Sequence, residues 1–559
     1  VLPLQSATNR FTSWWRGHQS PPASSPAPDS APANAVAAAT TGSSKSAAGS
    51  TGASSAAPAT TQAPAGPLPR EQRPWTDEVI YSIMTDRFVN GDKTNDQGCD
   101  PKDPEKFHGG DWQGIINKLD DLKNLGATTI WMSPVYENDR GVHNKYGVDG
   151  YHGYWPHNFE KTEPAFGTKE KLKELVDEAH KRGMKVLIDV VLNHTGYNHP
   201  WAHDPKFHDW FHHGGTDEET GELFLLPDLA QEKPEVAKYL IDTHLQWARE
   251  IGADGYRVDA IPHMPAAFQR QFQEAMKKEM GENFFMLGEA YRGDVGTIAS
   301  LQKKTGYDGA FDFPLANTLR STVGRNERQW FLPRWWDAKE LVKKFPGEAW
   351  RIMHLGKGGA RQFHDLFAQD NLHSNPLHLA TLVENHDMPR FMSMAGPKAK
   401  EKFKLALMMQ FCFRGMPTIY YGAEDGMGKS RDDIRADKRD GADPGMFAFI
   451  RGLCNMRHES IALRRGDQEE ILADKQVYAF SRNHPQETAV VAANVSGKRQ
   501  ERTLDLQREI AQAATTQSAP GGWHLTDSLT GKVTPIRQGQ VTVTVDPMSA
   551  NLYRLERDA

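Results

Sequence analysis

The sequence predicts an α/β chain: a (β/α)8 TIM barrel with a short inserted loop domain after strand 3, then a C-terminal antiparallel β-sandwich. Three observations carry this expectation. From residue 75 onward, short β-rich runs alternate with amphipathic helices, the pattern of repeated βα units on a parallel sheet. Eight such runs fall within residues 75–466, and barrels with inserted loops run well beyond about 250 residues. After residue 466 the helical pattern stops and period-two runs replace it.

The elements follow in order. Residues 21–70 are low complexity, 43 of the 50 being Ala, Ser, Pro, Thr or Gly. Such a segment buries too little apolar surface to offset its ordering entropy, so residues 1–70 read as a tail and a disordered linker. The barrel is expected over 71–466. "VIYSIMTDRF" (79–88) precedes the helix "WQGIINKLDDLKNLG", and "TTIWMSPV" (128–135) precedes, after a long loop, "KEKLKELVDEAHKRG". "KVLIDVVLNH" (185–194) leads through an inserted region at about 195–231 to "EVAKYLIDTHLQWAREIG". "GYRVDA", "FFMLGEA" (284–290), the weaker "YDGAFDFPL", "LATLVENHD" (379–387) and "TIYYGAED" (418–425) complete the eight. The runs "QVYAFSR", "ETAVVAANVS", "WHLTDSL" and "QVTVTVDP" predict the sandwich over 467–559.

Composition narrows the function. The 559 residues carry 66 basic and 72 acidic side chains, a net charge of −6, which is not the basic footprint of a nucleic-acid binder. No apolar run is long enough to span a bilayer. Cys99, Cys412 and Cys454 do not make a disulfide framework, and the last two sit in apolar helical stretches as core residues. The first residue is Val, which is consistent with a removed leader and leads to the expectation of an exported protein.

In such barrels the chemistry lies at the C-terminal ends of the strands. Those ends are unusually charged here. Strand three ends in Asp189, Asn193 and His194, strand four in Arg257 and Asp259, strand five in Glu289, and strand seven in Glu384, Asn385, His386 and Asp387. Side chains alternate along a strand, so Arg257 and Asp259 share a face. Asp259, Glu289 and Asp387 would converge on one mouth, and clustered like charges are costly unless something uses them. Two carboxylates flanking a bond are the signature of glycoside hydrolysis, one as nucleophile and one as acid/base. The fixed charge of Arg257 favours an ionised Asp259, and the apolar "FFML" before Glu289 favours a protonated acid.

These residues resemble the α-amylase family of glycoside hydrolases, from about residue 75 to the C-terminus. "DVVLNH", "GYRVDAIPH", "GEA" and "ENHD" resemble its four signatures in order, and "LPDLA" (226–230) a fifth. "VIYSIMTDRF", "YHGYW" and "NHDMPRF" are similar to cyclodextrin glucanotransferases, maltogenic amylases and cyclomaltodextrinases. The resemblance implies that Asp259 is the nucleophile, Glu289 the acid/base and Asp387 the transition-state stabiliser. The two reacting carboxyls would lie roughly 5–5.5 Å apart, as retention requires. It further implies substrate contacts from Arg257, His194, His386, Tyr154, His152 and Arg390. Phe224 and Tyr291 fall where cyclising relatives carry acceptor-side aromatics. Calcium is the implied cofactor, at two sites: Asn90, Asp92, Asn95, Asp96, Gly109 and Asp111, and then Asn193, Asp228 and the backbone of His263. Calcium takes oxygen ligands of this kind. The implied partner is an α-glucan, as maltooligosaccharide, cyclodextrin or soluble starch. Hydrolysis of α-1,4 bonds is the first expectation, 4-α-glucanotransfer through the same intermediate the second, and an inactive glucan-binding barrel a remote third. The sequence departs from the family at Pro262, where Lys often precedes the histidine, and at His108, where many relatives place a cysteine.

Overall fold

The computed structural model describes residues 68–141, 148–324, 359–428, 443–516 and 521–558. The expected tail and linker lie outside these residues up to position 67. Eight parallel strands form one sheet: β1 (Ile80–Ile83), β2 (Thr129–Met132), β3 (Lys185–Val190), β4 (Gly255–Val258), β5 (Phe285–Gly288), β6 (Gly309–Ala310), β7 (Ala380–Thr381) and β8 (Met416–Tyr420). Sequential strands pair from β1 to β6, β8 returns to β1, and β7 pairs with β8. A parallel bridge between Phe311 and Ala380 joins β6 to β7 and closes the barrel. The expected eight strands are the observed eight.

The strands are buried on both faces, so they read as unbroken apolar runs. Alternation divides them between two cores. Ile80, Trp131, Leu187, Phe285, Leu287, Ala380 and Met416 pack together inside the barrel. Tyr81, Ile130, Val186, Ile188, Tyr256, Val258 and Met286 belong to the outer layer under the helices. Asp189, Arg257 and Glu289 therefore continue the inward-facing rows of β3, β4 and β5.

Helices return the chain between strands. Trp112–Leu125 starts on Asp111, whose carboxylate accepts from the Gly114 amide, and ends at left-handed Gly126. Thr168 caps Lys169–Lys181 and Asp294 caps Val295–Thr305 in the same way. Pro234–Ile251 opens on proline and closes on left-handed Gly252. Between β3 and that helix the inserted region holds mostly short turns. They are packed on an aromatic cluster in which Trp201 stacks on Phe207 and meets Trp210 and Tyr239 edge-on.

The C-terminal strands begin at Asp467. A six-stranded antiparallel sheet and a two-stranded one share a core of Val490, Leu504, Leu525, Val541, Val543 and Leu555. The strand Gln540–Val545 buries every second residue, as "QVTVTV" predicts. The join to the barrel is largely apolar, with Phe413 stacked on Phe480 at 5.0 Å and Phe363 against Tyr478 at 5.4 Å, while just ahead of the sandwich Arg464 and Arg465 donate to buried Asp77 at 2.5 and 2.7 Å. Cys412 and Cys454 are buried free thiols.

Candidate active site

Arg257 is the hub of the barrel mouth. It is fully buried, and its Nη1 donates to Asp189 Oδ1 at 2.8 Å and to Asp259 Oδ1 at 2.6 Å. Its Nη2 lies 3.7 Å from Glu289 Oε2. The register makes this possible, because Asp189 and Arg257 are direct partners in the β3–β4 ladder. The other oxygen of Asp189 accepts from Trp131 Nε1 at 3.2 Å and from the Tyr154 hydroxyl at 2.7 Å. Burial pushes Asp189 up to about 6 even with Arg257 beside it.

Burial likewise pushes Glu289 up to about 8; Arg257 opposes the rise, and the charges of Asp259 and Asp387 add to it. Glu289 is buried, as the expectation of a raised carboxyl needs, but its neighbours are the charged groups Arg257, Asp259 and Asp387. Glu289 Oε2 accepts the Ala260 amide at 3.1 Å. Ala260 holds φ 49° and ψ 42°, a left-handed conformation that is strained for a residue with a Cβ. That turn is what lets the residue after Asp259 present its N–H to the carboxyl on the next strand. A carboxylate fixed on a guanidinium thus stands beside a carboxyl that keeps its proton near neutrality. This pairing can run nucleophilic and acid/base chemistry on one substrate.

The third carboxylate sits on the loop after β7. Asp387 Oδ2 lies 2.9 Å from His386 Nε2, and its amide donates to Asn385 Oδ1 at 3.0 Å. The His386 ring stacks on Tyr154 at 5.3 Å, and Tyr154 is flanked in turn by His152 at 5.8 Å. His194 is buried; its Nε2 donates to the Tyr154 carbonyl at 3.1 Å, and burial lowers its basicity despite nearby Asp259.

Arg390 corrects the sequence expectation of a sugar contact. It is buried beneath the loop, donating to Glu384 Oε1 at 2.8 Å and to the Tyr421 carbonyl at 2.7 Å. It ties the loop that carries Asp387 to β8, because a buried guanidinium needs partners and Glu384 supplies the charge. Arg320, which sequence reasoning missed, does the same from another side, donating to the carbonyls of Val383 and Pro389. Asp189 and Trp131 were also given no role from sequence, although both lie on the inward rows that alternation identifies.

Phe224 and Tyr291 are exposed, at 65% and 52%. Phe224 and Leu225 both have positive φ, at 56° and 67°, and the Tyr197 hydroxyl donates to the Phe224 carbonyl at 2.9 Å. Tyr291 meets Phe313 edge-on at 4.7 Å.

The expected calcium residues form two oxygen-rich places. Asn193 Oδ1 and Asp228 Oδ1 are both buried without a hydrogen-bond donor. The His194–Asp228 bridge and the Leu229 amide on the Asn193 carbonyl hold their segments side by side. The second oxygen of Asp228 accepts from His212 at 2.7 Å, and burial pushes the carboxyl up to about 6. His263 closes a single turn, with its ring on the Glu218 carbonyl. At the other place Asn90 Oδ1 and Asn95 Oδ1 are buried orphans, and the Asn90 amide holds both oxygens of Asp96. Gly109 is left-handed there, and a Cβ on it would lie 2.5 Å from Asp96 Oδ1. Undonated buried oxygens of this kind fit a hard cation. Two of the expected ligands are otherwise engaged. Asp111 accepts the amides of Gly91, Asp92 and Gly114, and Asp92 closes a turn on Thr94.

Residues 82–222 and 210–486 match the alpha amylase catalytic domain family. The chain belongs to the α-amylase family. It is 31% identical over 507 residues to a beta/alpha-amylase of Paenibacillus polymyxa, covering 86% of this chain and 38% of that protein. It is 30% identical to a cyclomaltodextrin glucanotransferase of Geobacillus stearothermophilus, covering 76% of this chain and 60% of the relative. The chain therefore spans well under two thirds of the length of these relatives. The crystal structure of an Anoxybacillus alpha-amylase superposes with a TM-score of 0.73 at 34% identity, covering 87% of this chain and all of the other. Among the described residues, no helix is long and apolar enough to cross a membrane.

Membership in the α-amylase family makes the Arg257 hub worth testing by itself. Asp189 and Glu289 both have folded-state values above their ordinary ones, so the stability each contributes is present at low pH and lost as pH rises through about 6 and about 8. Arg257 opposes both rises. Arg257→Met should therefore cost about 3–5 kcal/mol near pH 8 and markedly less near pH 5, where the carboxyls stay protonated in either protein. Melting curves of both proteins at the two pH values check this, and a deficit that is equal at both contradicts it.

Proposed function

We propose that this chain is a retaining glycoside hydrolase that cleaves α-1,4-glucosidic bonds in maltooligosaccharides, cyclodextrins or soluble starch. The observation that carries the reading is the placement of Asp259 and Glu289 on adjacent strand ends within reach of one buried guanidinium, with burial pushing Glu289 up to about 8. In this mechanism Glu289 gives its proton to the glycosidic oxygen while Asp259 attacks the anomeric carbon. The C–O bond breaks, the leaving sugar departs as an alcohol, and a covalent glycosyl–Asp259 ester remains. Glu289, now a carboxylate, takes a proton from water, which hydrolyses the ester. Asp387, held by His386 and Asn385, faces the positive charge that develops on the sugar ring.

A second reading, transfer to a sugar acceptor, is favoured by two exposed aromatics. Phe224 and Tyr291 offer stacking faces to an incoming sugar, and one relative is named as a glucanotransferase. Transfer and hydrolysis then compete for the same ester. Calcium is part of the proposal: the oxygens of Asn193 and Asp228, and those of Asn90, Asn95 and Asp96, would hold it. The ion would supply fixed positive charge where loops meet the barrel.

Three outcomes follow. Asp259→Asn should lower maltoheptaose turnover on the order of 10⁴-fold or more while circular dichroism stays native, because shape is kept and the nucleophile lost; a folded variant keeping a tenth of the activity excludes the assignment. Chelation should lower the melting temperature by several degrees at fixed pH, since a native-state ligand at about 100 times its Kd adds roughly 2.7 kcal/mol; unchanged curves argue against both calcium sites. Phe224→Ser should shift the maltoheptaose product ratio toward hydrolysis with total bond cleavage preserved; an unchanged ratio removes Phe224 from the acceptor path.

A further inference from the structure

Glu218 lies in the inserted region shortly before Phe224, and nothing above assigns it a role. Its turn is built firmly: Asp217 accepts the amides of Glu219 and Thr220 at 3.0 and 2.9 Å and the Thr220 hydroxyl at 2.9 Å. From that turn Glu218 reaches across to the barrel. Its carboxylate forms a close ion pair with Arg292. Its carbonyl accepts from His263 Nδ1 at 3.1 Å, and its Oε1 lies 4.0 Å from His263 Nε2. Arg292 belongs to the segment that leaves β5, directly after Tyr291, and also donates to the Tyr291 carbonyl at 3.2 Å.

These contacts join three strand ends. The inserted region follows β3, His263 follows β4 and Arg292 follows β5. The leaving sugar takes its proton from Glu289, so it lies on the Glu289 side of the cleft. Tyr291 and Arg292 continue the chain from that residue, which puts the Glu218–Arg292 pair beside the sugars that lie beyond the scissile bond. Both partners are partly exposed, at 50% and 27%. A pair in water adds little to global stability, but it can decide where a loop rests.

We propose that Glu218 is a positioning residue. Paired with Arg292 and buttressed by His263, it fixes the Phe224-bearing loop over the leaving-group side of the cleft, and so sets how tightly sugars beyond the scissile bond are held. This rests on the reading of Asp259 and Glu289 as the reacting pair.

The test compares two substrates: maltoheptaose, which fills the leaving-group side with sugars, and 4-nitrophenyl α-maltotrioside, whose aryl leaving group does not. Glu218→Gln should raise KM for maltoheptaose about two- to fivefold, the range of one exposed ion pair, with kcat little changed. The aryl substrate should keep both constants. The charge swap, Glu218→Arg with Arg292→Glu, should restore the maltoheptaose KM. An unchanged KM for maltoheptaose, an equal rise on both substrates, or a swap that fails to restore it overturns the proposal. Wild-type turnover that Asp259→Asn abolishes keeps the parent reading standing whatever Glu218 does. A wild type that cleaves neither substrate overturns both.

Discussion

The mouth of this barrel depends on a guanidinium sealed from water among carboxylates. Arg257 is among the largest fully buried side chains of the described residues, and a lone buried charge would be strongly destabilising. Asp189 and Asp259 neutralise it at hydrogen-bond distance, while Glu289 stays 3.7 Å away. That asymmetry separates the carboxylates. Two share the guanidinium's hydrogen bonds. The third feels its charge without a bond to it, accepts one backbone amide, and retains its proton because burial dominates. Burial keeps the proton on Glu289 against the pull of Arg257, and the proposed division of labour between Asp259 and Glu289 rests on that.

Around this floor, the loops are held by further buried arginines. Arg390 and Arg320 grip the backbone and Glu384 of the Asp387 loop, so the segment that carries the third carboxylate is held. The aromatic column of His152, Tyr154 and His386 ties the loop after β2 to the loop after β7. Tyr154 also bonds to Asp189, so the column rests on the same charged floor. Asp259 and Glu289 are each fixed through a partner from another strand, as preorganised electrostatics requires.

Much of this was legible in the sequence because it is local. Period-two alternation put Arg257 and Asp259 on one face, and the run boundaries placed Asp189, Glu289 and Asp387 at strand ends. What was not legible is long-range. Arg390 reads as a substrate contact beside "NHDMP", yet its partner Glu384 turns it inward. Arg320 grips Val383 from 63 positions away and sits in no motif. Asp111 was read as a metal ligand, and what its sequence position did not show is that its carboxylate also caps the helix that begins directly after it. Of the two shortest strands, β6 was the weaker in sequence, because two paired residues suffice to continue the ring.

Backbone strain is distributed along the same division between the floor and the exposed loop. Ala260 is left-handed at the floor, where the β3 to β5 ladders and the Glu289 bond over-determine it. Phe224 and Leu225 are left-handed in the loop, where their side chains are exposed and the Tyr197 hydroxyl meets the Phe224 carbonyl. A residue with a Cβ held at positive φ persists only when its surroundings compel it. At Ala260 the compelling force is the packed barrel, which holds the turn that joins Asp259 to the Glu289 carboxyl. At Phe224 it is a loop whose carbonyl is held by the Tyr197 hydroxyl. On the proposed reading, the reacting pair is placed by the packed floor and the acceptor is met by the exposed loop.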